Sequence, residues 1–74
     1  MSSTIIAYTV QTASRINLKV FNLLGQEVAT LVNDLQGPGT YHVTFEASRF
    51  ASGVYFYRLQ AGSFTDMRKM MIIK

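Results

Sequence analysis

Cysteine and tryptophan are absent from these 74 residues, proline and histidine occur once each, and aspartate and glutamate together number four. Without cysteine there is neither a disulfide framework nor a thiolate metal site, and cysteine usage fixes no redox compartment. No apolar run approaches the roughly 20 residues needed to span a bilayer as a helix, and the amino end lacks the basic-then-apolar pattern of a signal peptide. Charged residues make up only 15% of the chain against 49% hydrophobic, which argues for a folded domain rather than a disordered tail. A single domain of this size buries only about 60–65% of the surface its unfolded form exposes, so its stability is expected to be modest.

The scarcity extends to chemistry. His42 lies on the polar face of a strand, and Glu46 on the same face is about 13 Å away along the chain, too far to share a metal. A solvated histidine is the plainer reading. None of the six serines stands in a Gly-x-Ser-x-Gly elbow, and no second histidine is present to act as base. Gly37-Pro38-Gly39 has glycines but no following Lys-Ser/Thr pair or helix N-terminus, so it reads as a turn and not as a phosphate loop. Asn33 and Asp34 lack the third carboxylate of a calcium cage. The expectation is no enzyme, no cofactor and no metal. The formal net charge of +3 arises from Arg15, Lys19, Arg49, Arg58, Arg68, Lys69 and Lys74 against Glu27, Asp34, Glu46 and Asp66, spread along the chain and not gathered into the stripe of a nucleic-acid binder.

What the chain does have is strand pattern. Ser52 to Gly62 is a run of β-formers with a glycine near each end, and it reads as a central strand. Parity places Tyr55, Tyr57, Leu59 and Ala61 on the core face and Val54, Phe56, Arg58 and Gln60 on the other. Ala61-Gly62-Ser63 turns into a second strand from Phe64. Earlier in the chain, Thr4 to Val10 presents Ile6, Tyr8 and Val10, and Arg15 to Asn22 presents Ile16, Leu18 and Val20, with Phe21 on the outer face. Gly25 reverses the chain within Leu23-Leu24-Gly25-Gln26.

Glu27 to Val32 reads as a short strand and Asn33 to Gly39 as a surface loop. Thr40 to Glu46 turns Tyr41, Val43 and Phe45 inward. Ala47 to Ser52 is a compact crossing with about one helical turn around Phe50. Phe64 to Asp66 is expected to turn or bulge into Met67 to Lys74, whose parity is ambiguous. The six or seven short strands predict an all-β, antiparallel, Ig-like β-sandwich. A helical reading of Val20 to Val32 on Leu23, Leu24, Val28, Leu31 and Val32 is weakened by Gly25.

Three landmarks carry a family resemblance. The first is Leu18, Val20-Phe21-Asn22-Leu23-Leu24-Gly25-Gln26-Glu27-Val28 and Leu31. The second is Pro38-Gly39 with Tyr41 to Phe45 and Ala47-Ser48. The third is Ala51 to Leu59, then Gly62 and Lys69 to Lys74. Together they resemble the carboxy-terminal sorting domain, type A, of the bacterial type IX (Por) secretion system, over nearly the whole chain. The Ig-like domain of flagellar hook-capping proteins looks similar too. Members of the sorting family usually open with a Pro- and Asn-rich segment, whereas Ser2-Ser3-Thr4 stands here, so 1–74 is expected to be a single domain trimmed from the end of a larger secreted protein.

The resemblance implies a seven-strand Ig-like sandwich without catalytic groups that directs a cargo through the outer membrane to the surface or the medium, by way of the periplasm. It implies as partners the outer-membrane translocon, a shuttle protein, a sortase-like peptidase that removes the domain, and the cargo ahead of it. The recognition residues carried over are Pro38, Gly39, Gly53, Tyr55, Lys69, Met70, Met71, Ile72, Ile73 and Lys74. Each has a plainer role: Gly53 in a turn, Tyr55 in the core, Lys69 and Lys74 as guards of a sheet edge. Free edges also leave self-association open. The alternative is an accessory structural or carbohydrate-binding module stacking sugars on Phe21, Phe56, Phe64 and Tyr8; glycan binding separates the two.

Overall fold

The computed structural model describes residues 3–73. Six strands occur among them: β1 (Ser3–Val10), β2 (Ser14–Asn22), β3 (Glu27–Gln36), β4 (Gly39–Glu46), β5 (Gly53–Ala61) and β6 (Phe64–Ile72), with one 3-10 turn at Ala47–Arg49 between β4 and β5. All pairings are antiparallel. β1 and β4 form a two-stranded sheet, and the other sheet has the order β3-β2-β5-β6. The two layers pack as the small Ig-like sandwich that the alternating pattern predicts.

β2 lies at the centre of the core. Ile16, Leu18 and Val20 are completely excluded from solvent, facing Ile6, Tyr8 and Val10 of β1 and Phe45 of β4. Each buried aliphatic side chain contributes roughly 1.5–3 kcal/mol relative to exposure. Because two strands cover four, the cover is incomplete. Tyr55 is buried as the parity of β5 requires, whereas Tyr57, Leu59 and Ala61 on the same face are only half-buried. A hydrogen bond ties the layers together where the Tyr8 hydroxyl donates to Gln36 Oε1 at 2.6 Å, and Tyr8 stacks on Tyr41 with centroids 5.6 Å apart.

Two segments differ from their sequence readings. Asn33 to Gln36, expected in a loop, continues β3, and only Gly37 and Pro38 lie between β3 and β4. Asn33 and Asp34 are tolerated because β3 is an edge strand paired only with β2, and Asn33 Oδ1 accepts a bond from the Arg15 guanidinium at 3.2 Å. The register shifts twice along β2–β3, between Leu18 and Lys19 and between Val20 and Phe21, leaving Leu31 and Val28 as extra residues on β3. Bulges twist a strand locally. Val28 and Ala29, and then Leu31 and Val32, all pack partly against the core, which accounts for the helix-like spacing of a segment that is strand.

β6 runs unbroken from Phe64 to Ile72 with no register shift against β5, so the expected turn or bulge near Asp66 is absent. This continuity brings the strand count among the described residues to six. A two-residue loop, Gly62-Ser63, joins β5 to β6 with a positive φ at Gly62 alone, as a type II′ hairpin requires. Register also settles the parity of the last strand: Met70 stands opposite Tyr55 and Ile72 opposite Gly53 on the core side, leaving Met67 and Met71 outside.

The β2–β3 turn is closed by backbone bonds from the Asn22 N–H to the Gln26 carbonyl at 2.9 Å and from the Gly25 N–H to the Asn22 carbonyl at 3.0 Å, and the Asn22 side chain reinforces it. Asn22 Oδ1 accepts from the backbone N–H groups of Leu24 and Gln26, both at 3.0 Å, and its amide donates to Gln26 Oε1 at 2.8 Å. Gly25 sits at φ 83°, and a methyl group on its Cα would meet no atom within 4 Å, so its requirement is purely conformational. Gly25→Ala is expected to cost about 1–2 kcal/mol, read as a lower urea midpoint with an unchanged slope.

Burial pushes the Tyr8 phenol above its ordinary value. With the folded value raised, the contribution is complete below the unfolded value of about 10 and is lost as pH rises through the folded value. Tyr8→Phe should therefore flatten the fall in stability above pH about 10 while lowering stability at neutral pH by about 1 kcal/mol. Denaturant melts of both proteins at neutral and alkaline pH check this.

Candidate functional site

The residues singled out by the resemblance fall into two groups. Gly53 opens β5 at φ 154° and pairs with Ile72, Val54 with Met71, Tyr55 with Met70, and Phe56 with Lys69. These residues form one end of the β5–β6 hairpin. Pro38 and Gly39 are elsewhere. Gly39 pairs with Val10, near the end of the sandwich where Ser14 meets Gln36 and Ile16 meets Ala61. The length of β5, roughly 25–30 Å, separates the two groups. Lys74 lies outside the described residues.

Within the first group the side chains divide by face. Met70 and Ile72 pack inward, whereas Met71 and Ile73 are exposed. Tyr55 is 8% exposed: Phe50 meets its ring edge-on at 6.0 Å, and its hydroxyl donates to the Ala51 carbonyl at 2.9 Å. Phe50 in turn stacks on Phe45 with centroids 5.2 Å apart. Tyr55 thus anchors the crossing between β4 and β5 to the core and fixes the strand against which β6 is laid. The outer edge of β6 pairs with no strand among the described residues.

In the second group, the Tyr41 hydroxyl donates to the Gly37 carbonyl at 2.7 Å and braces the Gly37-Pro38 turn. Gly39 takes φ 151° at the start of β4. Tyr41 carries the stacking contact with Tyr8, so this turn is coupled to the layer-bridging bond at Gln36.

The aromatics considered for sugar stacking do not form one strip. Tyr8 is buried; its strand position puts the ring in the core. Phe21 and Phe56 are paired and half-buried on the outer face of the four-stranded sheet, with the Arg58 guanidinium 5.0 Å from the Phe21 ring centre. Phe64 stands opposite Ala61 at the far end, on the inner face. Among the described residues no three His, Cys, Asp or Glu side chains are placed to hold a metal ion. His42 is exposed on β4, opposite Ala7. A shallow groove beside the free edge of β1 is floored by Tyr57 and Leu59 and walled by Phe64 and the Asp66–Arg68 ion pair at 3.1 Å.

In sequence, Leu23 and Leu24 read as part of a chain reversal and of a family motif, not as candidate contact residues. They occupy the β2–β3 tip and are 69% and 83% exposed, and Leu23 borders a hollow with Phe21, Phe56, Arg58 and Met67. Two leucines in a turn otherwise held by Asn22 and Gly25 were the available signal. Nearby, Lys19 lies 3.2 Å from Glu27 and, with the Thr30 hydroxyl, holds its carboxyl below the usual carboxylate range.

Tyr55→Ala should cost roughly 3–5 kcal/mol, enough to unfold much of so small a domain, while Tyr55→Phe, keeping the ring and losing the Ala51 bond, should cost about 1 kcal/mol. Circular-dichroism melts separate the two; an unchanged melt for Tyr55→Ala would contradict the anchoring role.

No helix among the described residues is long and apolar enough to cross a membrane. No curated protein and no solved structure matches the chain. A family model described as "Secretion system C-terminal sorting domain" matches residues 2–74, essentially the whole chain. The two-layer β architecture and the ordered motifs agree with that match, and the chain belongs to the C-terminal sorting domain family of the type IX secretion system.

Proposed function

We propose that this domain is a non-catalytic address, read by the outer-membrane translocon and its shuttle protein through the last hairpin and afterwards removed from its cargo by a sortase-like peptidase. Membership of the sorting family makes the domain a signal that exports its precursor to the cell surface or beyond, in contact with the secretion machinery and attached to a cargo. The observation that supports the finer reading is the division of labour along β6. Met70 and Ile72 hold the strand on the core, while Met71, Ile73 and an unpaired backbone edge remain available. An extended partner segment adding to that edge would gain main-chain hydrogen bonds from the ladder and specificity from the outward side chains.

Gly53 and Tyr55 serve the same surface indirectly, as positioning residues that set where β6 lies. Lys69, opposite Phe56, supplies charge beside the edge. Pro38 and Gly39, at the opposite end, act on this reading by keeping the sandwich closed, and a partner spanning the full length of the domain would meet them as well.

The test is a fusion of this domain behind a signal-peptide-bearing fluorescent reporter in a bacterium that has the translocon. Deleting Met70 to Lys74 should leave the reporter in the periplasm. Since that deletion also removes core residues, the sharper variant is Met71→Ser with Ile73→Ser, both exposed. Export of this double variant should fall at least tenfold with its melt unchanged, and normal export would overturn the hairpin as the recognised surface.

A further inference from the structure

Folding gathers charges that are scattered in sequence. Register places Arg15, Lys19, Arg58 and Lys69 on the outer face of the β3-β2-β5-β6 sheet, because each stands one or three positions from an inward residue of its strand. The acid on that face is Glu27, opposite Phe21 and already paired with Lys19. The chain's other three cations and three acids cancel, so this one face accounts for the entire formal charge of +3. On the opposite side of the sandwich, the outward residues of β1 and β4 include Ile5, Ala7, His42, Thr44 and Glu46 and no lysine or arginine.

The fold does not require this arrangement. Lys19 and Arg58 are directly opposite each other, a cross-strand like-charge pair that weakens a sheet. Large apolar groups lie among the cations: Phe21 and Phe56 between the strands, Met67 and Met71 on β6, and Leu23 at the edge of the same hollow. Beyond them the Leu23-Leu24 tip projects into solvent, and the turn is held by Asn22 without help from either leucine side chain.

We propose that this outer face, led by the Leu23-Leu24 tip, docks on an anionic lipid bilayer. The cations complement the headgroup charge, and the two leucines enter the boundary with the acyl chains. Cationic side chains behind an apolar tip can lay their stems along the apolar surface and keep their charges at headgroup level. A protein partner would have to supply a matching pocket for an isolated leucine pair. A fluid bilayer needs no such pocket. The opposite side, with no lysine or arginine on β1 or β4, gives the docked domain a defined orientation, with the β1–β4 sheet facing away from the lipid layer. This reading goes beyond the sorting role and does not depend on it.

The experiment is co-sedimentation of the 74-residue chain with vesicles of phosphatidylcholine alone and of phosphatidylcholine mixed equally with phosphatidylglycerol. Binding is expected only to the mixed vesicles at low salt, and its loss as NaCl rises from about 0.01 M to about 1 M, which shortens the screening length from roughly 30 to 3 Å. Lys19→Gln and Arg58→Gln should each weaken the partitioning about fivefold. Leu23→Ser with Leu24→Ser should abolish it, with circular-dichroism melts confirming that all variants stay folded. No sedimentation with the mixed vesicles, equal sedimentation with both kinds, or binding indifferent to either the cations or the leucines would overturn the proposal.

Discussion

Exclusion of Ile16, Leu18 and Val20 from water is the constraint on which the rest of the molecule depends. The chain has no cysteine to form a disulfide, and among the described residues of the core these three side chains on one interior strand are fully excluded from solvent, with Phe45 next at 2% exposed. Everything that covers them is therefore placed by them. β1 and β4 lie across one side, β3 and β5 flank β2 within its sheet, and β6 is positioned at one remove through Tyr55 and the residues opposite it.

The same constraint explains what remains uncovered. Two strands cannot shield four, so the inner face of β5 and β6 is closed by Tyr55, Met70 and Ile72 at one end and left half open at the other, where Phe64, Asp66 and Arg68 border solvent. Edges are treated in a similar uneven way. β3 is broken by two bulges and carries Asn33 and Asp34, features that discourage further pairing, while β6 is regular along its whole length. An export signal needs a surface presented to other molecules; the core concentrated on β2 fixes which positions of β2, β5 and β6 face outward, and the cations on that outer face are a further choice of sequence that the core does not impose.

Strand identity was legible wherever one face is fully buried. In β1, β2 and the first half of β5 the period of two is strict because each inward position meets the opposite layer. It failed in β3, where the bulges at Val28 and Leu31 put neighbouring residues on the core together and imitate a helical spacing, and where an edge position tolerates the polar residues that look like a loop. It was ambiguous in β6, since Met70 through Ile73 offers an apolar side chain on both faces and only pairing with β5 shows which side meets the core. Of the candidate recognition residues, the sequence order put Gly53, Tyr55 and Lys69 to Ile73 within reach of one hairpin, but it offered no means of seeing that Pro38 and Gly39 stand at the other end.

By itself the sequence determined the class of structure, the absence of a disulfide or thiolate metal site, and membership of a family through three ordered motifs, since composition, periodicity and motif order are properties of a line of residues. Tertiary structure alone decided that β6 is one strand with Met71 and Ile73 outside, and that Arg15, Lys19, Arg58 and Lys69 share a face. The reason is that strand pairing joins residues some 40 positions apart along the chain, Lys19 with Arg58 and Phe21 with Phe56, and a charge or an apolar group has a neighbourhood only after those partners have met.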